Sequence, residues 1–276
     1  MTSAKDMVLR PITAQEANAL VRRVHYSGKV VNNSQIHIGA FLNGKLEGAM
    51  QFGPSLDKRK IQGLVEGTGW NEFIELNRMA FTDNLPRNSE SRAIAIAMKL
   101  LRKHAPHIKW VVTFADGAQC GDGTIYRASG FLLTGIKRND QIWAQDDGGP
   151  AISRTAITAL GHKGASAQRR TISRMTATKG KHITETGGAS MKAYANAGFK
   201  PIPGFQLRYI YFIDPAYRDR LTVPVLPYSE IERRGAGMYR GQPRAEGVAG
   251  DTSTVQVEEG GSIPTSALHE NPRVQT

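Results

Sequence analysis

Cysteine is almost absent from this sequence, since Cys120 is the single one among 276 residues. One cysteine excludes an internal disulfide framework and is typical of a reducing cytoplasm. No apolar run approaches the roughly 20 residues that a membrane helix requires, so we expect no membrane partner. The first ten residues contain no apolar segment of signal-peptide type, which predicts a cytoplasmic protein. With 40% hydrophobic and 22% charged residues, the composition excludes a mainly disordered chain.

Several short catalytic motifs are missing as well. The sequence contains no G-x-x-x-x-G-K-[ST] phosphate loop, no H-E-x-x-H pair and no G-x-S-x-G elbow. These absences argue against P-loop nucleotidases, metalloproteases of the zincin type and α/β-hydrolases. A single cysteine cannot build the zinc site of a nucleobase deaminase. The seven histidines are scattered without metal-ligand spacing, so the residue pattern predicts no metal site.

Acidic residues are missing from one long stretch of an otherwise basic chain. Residues 151–183 contain seven Lys or Arg and no Asp or Glu, and the whole chain has a formal charge of +12. A basic segment without aromatic residues is typical of phosphate binding rather than base reading. We therefore predict that a basic insertion at about 151–190 binds double-stranded DNA, a flexible solvated loop being the alternative. The predicted DNA-binding residues are Arg154, Lys163, Arg169, Arg170, Arg174, Lys179 and Lys181.

The end of the chain has the opposite charge. Residues 241–276 contain two Arg and five Asp or Glu, a net charge of −3, which leaves +15 on the remainder. This region is rich in Gly, Ser, Thr, Glu and Pro and has neither helical nor alternating periodicity. We predict a disordered tail over 235–276 and one domain over 1–234 that carries the basic insertion.

The periodicity of the predicted domain indicates both helices and strands. A capping box of Thr13 and Glu16 begins the first helix, and a buried helix between two strands makes a β-α-β unit. The predicted elements are a helix at 13–26, a hairpin at 35–52 around Asn43-Gly44, a strand at 73–81, a helix from Asn88 or Ser89 to about His104, a strand at 110–115, a short helix from Thr124 and a strand at 206–213.

Asp116 is the first candidate for chemistry. It follows the apolar strand at 110–115, and the carboxyl ends of such strands are where open α/β sheets bind ligands. Asp116 could act as a general base or hold an amino group, although it could also only cap the next turn. Tyr126 follows ten residues later and returns to the same edge, where a tyrosine could equally be a partly buried core residue.

Arg78 is a second candidate, because charged groups inside an apolar strand are costly unless they are paired or functional. Strand alternation predicts Glu75 and Asn77 on one face and Arg78 on the other. Arg78 could pair with Asp116 on the neighbouring strand, or it could clamp a phosphate or carboxylate. The pair His25-Tyr26, at the end of the first helix, is commonplace when taken alone.

The turn at 86–91 enters the buried helix and is a candidate cofactor site. The free amides and positive dipole of a helix start suit a phosphate group. Acetyltransferases of the GNAT superfamily bind the pyrophosphate of coenzyme A here, usually through [QR]-x-x-G-x-[GA]. In this sequence Arg87 fits the first position, whereas Glu90 and Ser91 replace the glycines, and an ordinary capped helix is the alternative. The predicted cofactor-binding residues are Arg87, Asn88, Ser89 and Ser91.

Taken together, residues from about 21 to about 227 resemble the Mom DNA-modification proteins of Mu-like bacteriophages. The order and spacing of six motifs carry this resemblance. They are His25-Tyr26-Ser27-Gly28, Glu75-Leu76-Asn77-Arg78-Met79-Ala80, Pro86-Arg87-Asn88-Ser89-Glu90-Ser91, Phe114-Ala115-Asp116-Gly117, Tyr126-Arg127-Ala128-Ser129-Gly130-Phe131 and Arg208-Tyr209-Ile210-Tyr211-Phe212.

The resemblance implies an α+β fold with a GNAT-like mixed central sheet flanked by helices. It also implies a transferase that acts on DNA in the cytoplasm of the host bacterium. The family converts N6 of adenine to its carbamoylmethyl (acetamido) form, which shields phage DNA from host restriction enzymes. Its important positions carry over as His25, Tyr26, Arg78, Asp116 and Tyr126. In this interpretation Asp116 is the base, the two tyrosines stack on adenine or relay a proton, and Arg78 holds an anionic group.

The donor of the added group is a separate question. A conventional acyl transfer from acetyl coenzyme A gives an amide, whereas the family's product has N6 bonded to a methylene carbon. That product requires alkylation or a radical step, which ordinary acyl transfer does not provide. The donor is therefore left open, and acetyl coenzyme A or a related acyl compound is one candidate. Iron has been suggested for the family, and in this sequence His25 with Tyr26 or Asp116 could be its ligands.

Two other functions fit the sequence. One is a conventional GNAT N-acetyltransferase that acts on an amine of a small molecule or protein, and the other is a non-catalytic DNA-binding protein. The sequence leaves the oligomeric state open, a homodimer included.

Overall fold

The structure, a computed structural model, describes residues 2–27, 29–118, 120–145, 152–153, 191–196, 198–239 and 242–243. Its helices are α1 (Ala14–Val24), α2 (Lys58–Gln62), α3 (Ser89–His104), α4 (Thr124–Ala128), α5 (Met191–Asn196) and α6 (Ser229–Arg233). Its strands are β1 (Val8–Pro11), β2 (Ile36–Leu42), β3 (Lys45–Gly53), β4 (Phe73–Phe81), β5 (Trp110–Asp116), β6 (Leu132–Arg138), β7 (Ile142–Gln145), β8 (Ile152–Ser153), β9 (Phe199–Pro201), β10 (Phe205–Phe212), β11 (Met238–Tyr239) and β12 (Gln242–Pro243).

Seven strands form the main sheet in the order β1-β2-β3-β4-β5-β10-β6. The β4–β5 pair is parallel and is connected through α3, whereas the other neighbours are antiparallel. This mixed sheet with helices confirms the predicted α+β architecture. Strands β7, β8 and β9 form a second, three-stranded sheet, and β11 pairs with β12.

Local sequence signals account for the first elements. The Thr13 hydroxyl accepts a hydrogen bond from the Glu16 amide, and the Glu16 carboxylate accepts one from the Thr13 amide at 2.8 Å. This capping box satisfies two amides at the start of α1. Asn43 and Gly44 both have positive φ, at 51° and 77°, as the tight turn between β2 and β3 requires.

The sheet is covered by helices on both faces. The buried side of α3 packs against β5 and its neighbours through residues such as Ile94, Met98 and Val111. On the other face, Ala17 and Leu20 of α1 pack on Ala49 of β3. Burial on both faces explains why β5 is a continuous apolar run in the sequence.

The sheet opens between β4 and β5. Residues 73–75 pair with residues 110–112, and these two strands share no further pairs. Their outer edges stay bonded, β4 to β3 as far as Phe81 and β5 to β10 as far as Asp116. The carboxyl-terminal halves of β4 and β5 therefore separate and leave a gap in the sheet.

The folded chain extends beyond the predicted boundary at residue 234. Ala236 and Met238 are buried, and Met238–Tyr239 pairs with Gln242–Pro243. The predicted start of the disordered tail at residue 235 is therefore too early, because apolar side chains there pack on the domain. The chain divides into a compact unit at 1–244 and a second unit at 245–276. The remainder of the predicted tail, from residue 244, lies outside the described residues.

The basic insertion also falls largely outside the described residues. Between 146 and 190 the structure describes only β8. All seven predicted DNA-binding cations therefore remain predictions. In the parts of the chain that are described, no helix is both long and apolar enough to cross a membrane.

Candidate active site

A cleft of about 1060 Å³ occupies the gap between β4 and β5. Its walls come from both separated strands, from α4, from the segment after α1 and from the loop before α2. The five residues predicted to be catalytic all line this one cleft. They are His25, Tyr26, Arg78, Asp116 and Tyr126.

Asp116 lies at the carboxyl end of β5, as predicted. Its Oδ1 accepts a hydrogen bond from the Ala118 amide at 3.0 Å, and the Asn139 side chain donates another to the carboxylate. Asp116 therefore does cap the following turn, as the structural alternative predicted. Burial nevertheless outweighs these bonds and raises the pKa of Asp116, which makes the carboxylate a stronger base.

Arg78 faces the cleft because of a bulge in β4. Arg78 opposes Gln51 and Leu76 opposes Phe52, so the intervening Asn77 has no partner on β3. A bulge resets strand alternation. The predicted opposite placement of Glu75 and Arg78 is therefore wrong, and both lie on the same face of the sheet.

The ion pair with Asp116, one of the two roles that the sequence left open for Arg78, does not form. Arg78 instead donates from Nε to the Lys29 carbonyl at 3.1 Å and from Nη1 to the Asn77 carbonyl at 2.6 Å. The strands that carry Arg78 and Asp116 have already separated at this level. Within the described part of the chain, no carboxylate lies within ion-pair distance of Arg78, which leaves its charge facing the cleft.

The rings of His25 and Tyr26 are in contact at the end of α1. Their ring centroids are 4.1 Å apart and the planes are tilted by 33°. The Nδ1 atom of His25 accepts a hydrogen bond from the Ser27 amide at 3.2 Å, so the proton of the neutral ring belongs on Nε2. Burial and the nearby Arg78 charge lower the pKa of His25 to about 4, which keeps the ring neutral.

Tyr26 is 53% exposed, and its ring remains accessible from the cleft. Its hydroxyl hydrogen-bonds to the Cys120 sulfur. Burial of this hydroxyl, with Cys120 and Asp116 nearby, raises the pKa of Tyr26, so the phenol stays protonated. An accessible aromatic ring near the half-buried Asp116 carboxylate can receive a planar heterocycle.

Tyr126 has a different environment, because it is only 9% exposed. Its ring packs against Phe131 and Tyr209, at 5.6 Å in each case. The hydroxyl hydrogen-bonds to Thr113, whose own hydroxyl donates to the Leu76 carbonyl at 3.2 Å. These hydrogen bonds connect α4 to β5 and β4 at the level where the two strands separate. Burial raises the pKa of Tyr126 to about 12.

Glu75 and Cys120 also line the cleft, and neither was among the residues predicted to be catalytic or to bind a cofactor. Burial raises the pKa of the Glu75 carboxyl. Cys120 donates its thiol hydrogen to the Asp116 carbonyl at 3.2 Å, and burial raises the pKa of the thiol. Glu75 had one usable signal, a carboxylate inside an apolar strand, whereas a lone cysteine in a loop had none.

The predicted cofactor residues lie at the start of α3. Asn88 occupies the N-cap position with a left-handed backbone (φ 68°) and makes no side-chain cap. Ser89 is 2% exposed, and its Oγ has no hydrogen-bond partner among the described residues. Ser91 donates to the Asn88 carbonyl at 3.2 Å, and Arg87 is exposed. None of these four lines the cleft, but Glu90 does.

The suggested iron ligands do not form a metal cluster. Three or more His, Cys, Asp or Glu side chains are nowhere grouped to hold a metal ion in the described ranges. His25 already uses Nδ1 to accept from Ser27. The residues around the cleft therefore do not fit an iron site built from His25 and Asp116.

Solved acetyltransferases resemble the chain only distantly. The ribosomal-protein-S18-alanine N-acetyltransferase from Escherichia coli is 11% identical, with 75% of this chain and 94% of that chain covered and a TM-score of 0.37. A Bacillus subtilis acetyltransferase in complex with CoA is 13% identical, with 49% and 80% covered and a TM-score of 0.34. Scores this low support no conclusion beyond the likeness itself.

Sequence relatives are more informative. The chain is 35% identical over 162 residues to the methylcarbamoylase Mom of Escherichia phage Mu, covering 58% of this chain and 67% of that protein. Residues 6–230 match the Mom protein family, a range that contains β4, β5, α3 and every residue of the cleft predicted to be catalytic. The chain therefore belongs to the Mom protein family.

Proposed function

We propose that this protein modifies adenine in phage DNA by attaching a carbamoylmethyl group to N6, which shields the DNA from host restriction enzymes in the bacterial cytoplasm. The observation that carries the proposal is the cleft, which combines a half-buried carboxylate, an accessible aromatic ring and a cation without a carboxylate partner. The relative in phage Mu is named a methylcarbamoylase, which supports the same chemistry.

Asp116 serves as the base in this proposal. The lone pair of adenine N6 is delocalised into the ring, so a nearby base must accept the N6 proton as the new bond forms. The raised pKa of Asp116 strengthens it for that step. Its bonds to Ala118 and Asn139 hold the carboxylate in place while leaving lone pairs for the substrate.

Tyr26 provides the platform for adenine, and His25 supports it from behind. The accessible Tyr26 ring can stack on a base, and the neutral His25 ring fixes its orientation at 4.1 Å. Tyr126 is too buried to stack on a substrate, so we assign it the role of positioning the two strands through Thr113. Arg78 is suited to hold an anionic part of the donor.

We propose that a coenzyme A-type donor places its pyrophosphate at the start of α3. The unpartnered Ser89 hydroxyl and the absence of a side-chain cap from Asn88 leave hydrogen-bonding groups there, and Arg87 adds charge. When bound, such a donor supplies the carbon unit. Bonding N6 to a methylene carbon is an alkylation, so N6 attacks a donor carbon that carries a leaving group rather than a thioester carbonyl, and the N6 proton passes to Asp116. Unmodified acetyl coenzyme A has no leaving group on its methyl carbon and does not complete this step. The amide nitrogen must come with the donor or from a second substrate.

Adenine N6 is not accessible to such a cleft inside stacked duplex DNA. The base must leave the helix, at a cost of about a few kcal/mol. Phosphate contacts from a basic protein can supply that free energy, and the chain has a formal charge of +12. The predicted cations between Arg154 and Lys181 are assigned this role.

Nucleoside mass spectrometry tests the proposal. The chain is expressed in a bacterium, and total DNA is digested and compared with DNA from an empty-vector strain. We expect a new deoxyadenosine species heavier by one carbamoylmethyl group. An increment of acetyl size would indicate plain acyl transfer, and soluble DNA-binding protein with no new nucleoside would favour a non-catalytic DNA-binding protein.

The variant Asp116→Asn tests the assigned base. Asparagine can still accept from the Ala118 amide but cannot take a proton, so we expect modification to be abolished while DNA affinity stays nearly unchanged. Asp219→Asn, which changes an exposed acid in the helical turn after β10, is the matched control. A parallel fall of DNA affinity and modification in Asp116→Asn would contradict the catalytic assignment.

A further inference from the structure

Leu56 is fully exposed on the wall of the cleft. Its relative exposure is 100%, whereas the other exposed large hydrophobic residues of the described chain range from 40% to 60%. The same cleft contains Asp116 and Tyr26. A fully exposed leucine contributes no burial free energy to the free protein. Its side chain could be buried by contact with a binding partner.

The loop that carries Leu56, residues 54–57, is anchored on both sides. Before Leu56, Ser55 is buried and the Pro54 carbonyl accepts a hydrogen bond from Asn77 of β4 at 3.5 Å. After it, the Asp57 carboxylate caps α2 by accepting from the Lys60 amide at 3.3 Å. We call residues 54–57 the rim loop. Its anchors hold the leucine outward instead of letting it collapse onto the domain.

Basic residues follow the rim loop directly. Lys58, Arg59 and Lys60 begin α2, and in the described regions neither Arg59 nor Lys60 lies within ion-pair distance of a carboxylate. The Lys58 ammonium lies over the Trp70 ring, 4.5 Å from its centroid. The surroundings of Leu56 therefore suit a polyanion that also offers an apolar surface.

We propose that the rim loop docks on duplex DNA and that Leu56 inserts between base steps, in the space that a base leaves when it enters the cleft. This inference rests on the proposed function, since it assumes that the substrate is adenine in duplex DNA. Apolar side chains that enter the base stack unstack and kink the duplex, and cations beside them bind the flanking phosphates. Leu56 is a positioning residue in this step because it does not touch the reacting atoms.

Insertion of a side chain unwinds DNA, and this effect can be measured without any modification chemistry. Nicked circular DNA is ligated in the presence of saturating full-length protein, and the linking number is then read from the topoisomer distribution. We expect the wild type to lower the linking number, and Leu56→Ala to lose that shift while binding DNA within about twofold of the wild type. The Leu56 side chain is not buried, so the variant is expected to fold.

Val225→Ala is the matched control, because Val225 is exposed (46%) and does not line the cleft. It should keep the full shift in linking number. In cells that modify their DNA, Leu56→Ala should lower the modified deoxyadenosine by about tenfold or more, since the unstacked state loses its support. The double variant Arg59→Gln, Lys60→Gln should weaken DNA binding and reduce the slope of log affinity against log salt by about two.

A wild-type protein that leaves the linking number unchanged at saturation would overturn the proposal, as would a Leu56→Ala variant with an undiminished shift. The two proposals fail separately. If the linking number shifts and the shift requires Leu56, but the DNA of expressing cells is not modified, only the proposed function is contradicted. If the DNA is modified but the linking number does not shift, only the insertion of Leu56 is contradicted.

Discussion

His25 shows how one residue in the cleft makes folding depend on pH. Burial and the charge of Arg78 lower its pKa to about 4, from an ordinary value of 6.5. The unfolded chain therefore binds a proton between these values that the folded chain does not. The contribution of His25 to the free energy of unfolding is therefore fully present above about pH 6.5. It is lost as the pH falls toward 4, because only the unfolded chain takes up the proton in this range.

Replacing this histidine should remove that part of the pH dependence. We expect His25→Gln to lose about 1 to 2 kcal/mol less stability than the wild type when the pH falls from 7 to 5. Urea denaturation at both pH values gives this difference, and any effect of the substitution on packing is the same at both values and cancels. His107→Gln, at an exposed histidine, should behave like the wild type. Equal pH dependence in His25→Gln and the wild type would show that His25 is not held neutral.

At the scale of elements, the start of α3 contains a group that lowers the stability of the free protein and that a bound donor could use. The Ser89 hydroxyl is buried without a partner, and such a group costs about 1 to 3 kcal/mol. If it is retained for a donor, removing it should stabilise the free protein and weaken donor binding. We expect Ser89→Ala to raise the free energy of unfolding by about 1 kcal/mol.

Two measurements on the same variant separate these effects. Thermal unfolding reports the stability of Ser89→Ala, and calorimetric titration with coenzyme A reports donor binding, which should weaken several-fold. Ser91→Ala is a neighbouring control, because the Ser91 hydroxyl is already bonded to the Asn88 carbonyl. A Ser89→Ala variant that is more stable but binds coenzyme A as well as the wild type would remove Ser89 from the proposed donor site.

Elements with strong local signals could be predicted from the sequence, whereas their register could not. The capping box, the Asn43-Gly44 turn and the apolar run of β5 each depend on neighbouring residues, and the structure confirms all three. The bulge at Asn77 depends on how β4 aligns with β3, and alternation along one strand contains no information about this. That is why the face of Arg78 was predicted wrongly relative to Glu75.

The residues that line the candidate cleft could be predicted only in part. Asp116 follows a recognisable strand, Tyr126 lies on a recognisable helix, and Arg78 is a charge inside an apolar strand. Only His25-Tyr26 was found through the family's motifs. The fully exposed position of Leu56 depends on anchors at Pro54, Ser55 and Asp57 that join three separate elements. No sequence pattern distinguishes such a leucine from a core residue.

At the scale of the whole molecule, charge is divided between a basic body and an acidic end. Residues 244–276 contain two Arg and five Asp or Glu, so the remainder of the chain carries +15 while the whole carries +12. Negative charges on the same chain lower the potential that attracts DNA, and salt screens this effect beyond about 10 Å at 0.1 M.

Truncation after Pro243 should therefore strengthen DNA binding without affecting the fold. The unit at 1–244 is compact in its own right, so we expect an unchanged midpoint of thermal unfolding. We expect DNA affinity to rise several-fold at low salt and the gain to disappear at high salt, because an electrostatic effect is screened there. Fluorescence anisotropy with labelled duplex DNA across a salt series measures both.

A second variant separates charge from length. It keeps residues 244–276 but replaces their five acids with Asn or Gln, which removes the negative charge without shortening the chain. If repulsion is the cause, this variant should gain at least as much affinity as the truncated protein, because it also keeps Arg244 and Arg273. If only truncation strengthens binding, the segment must act by occupying space near the DNA, and a gain that persists at high salt would support the same conclusion.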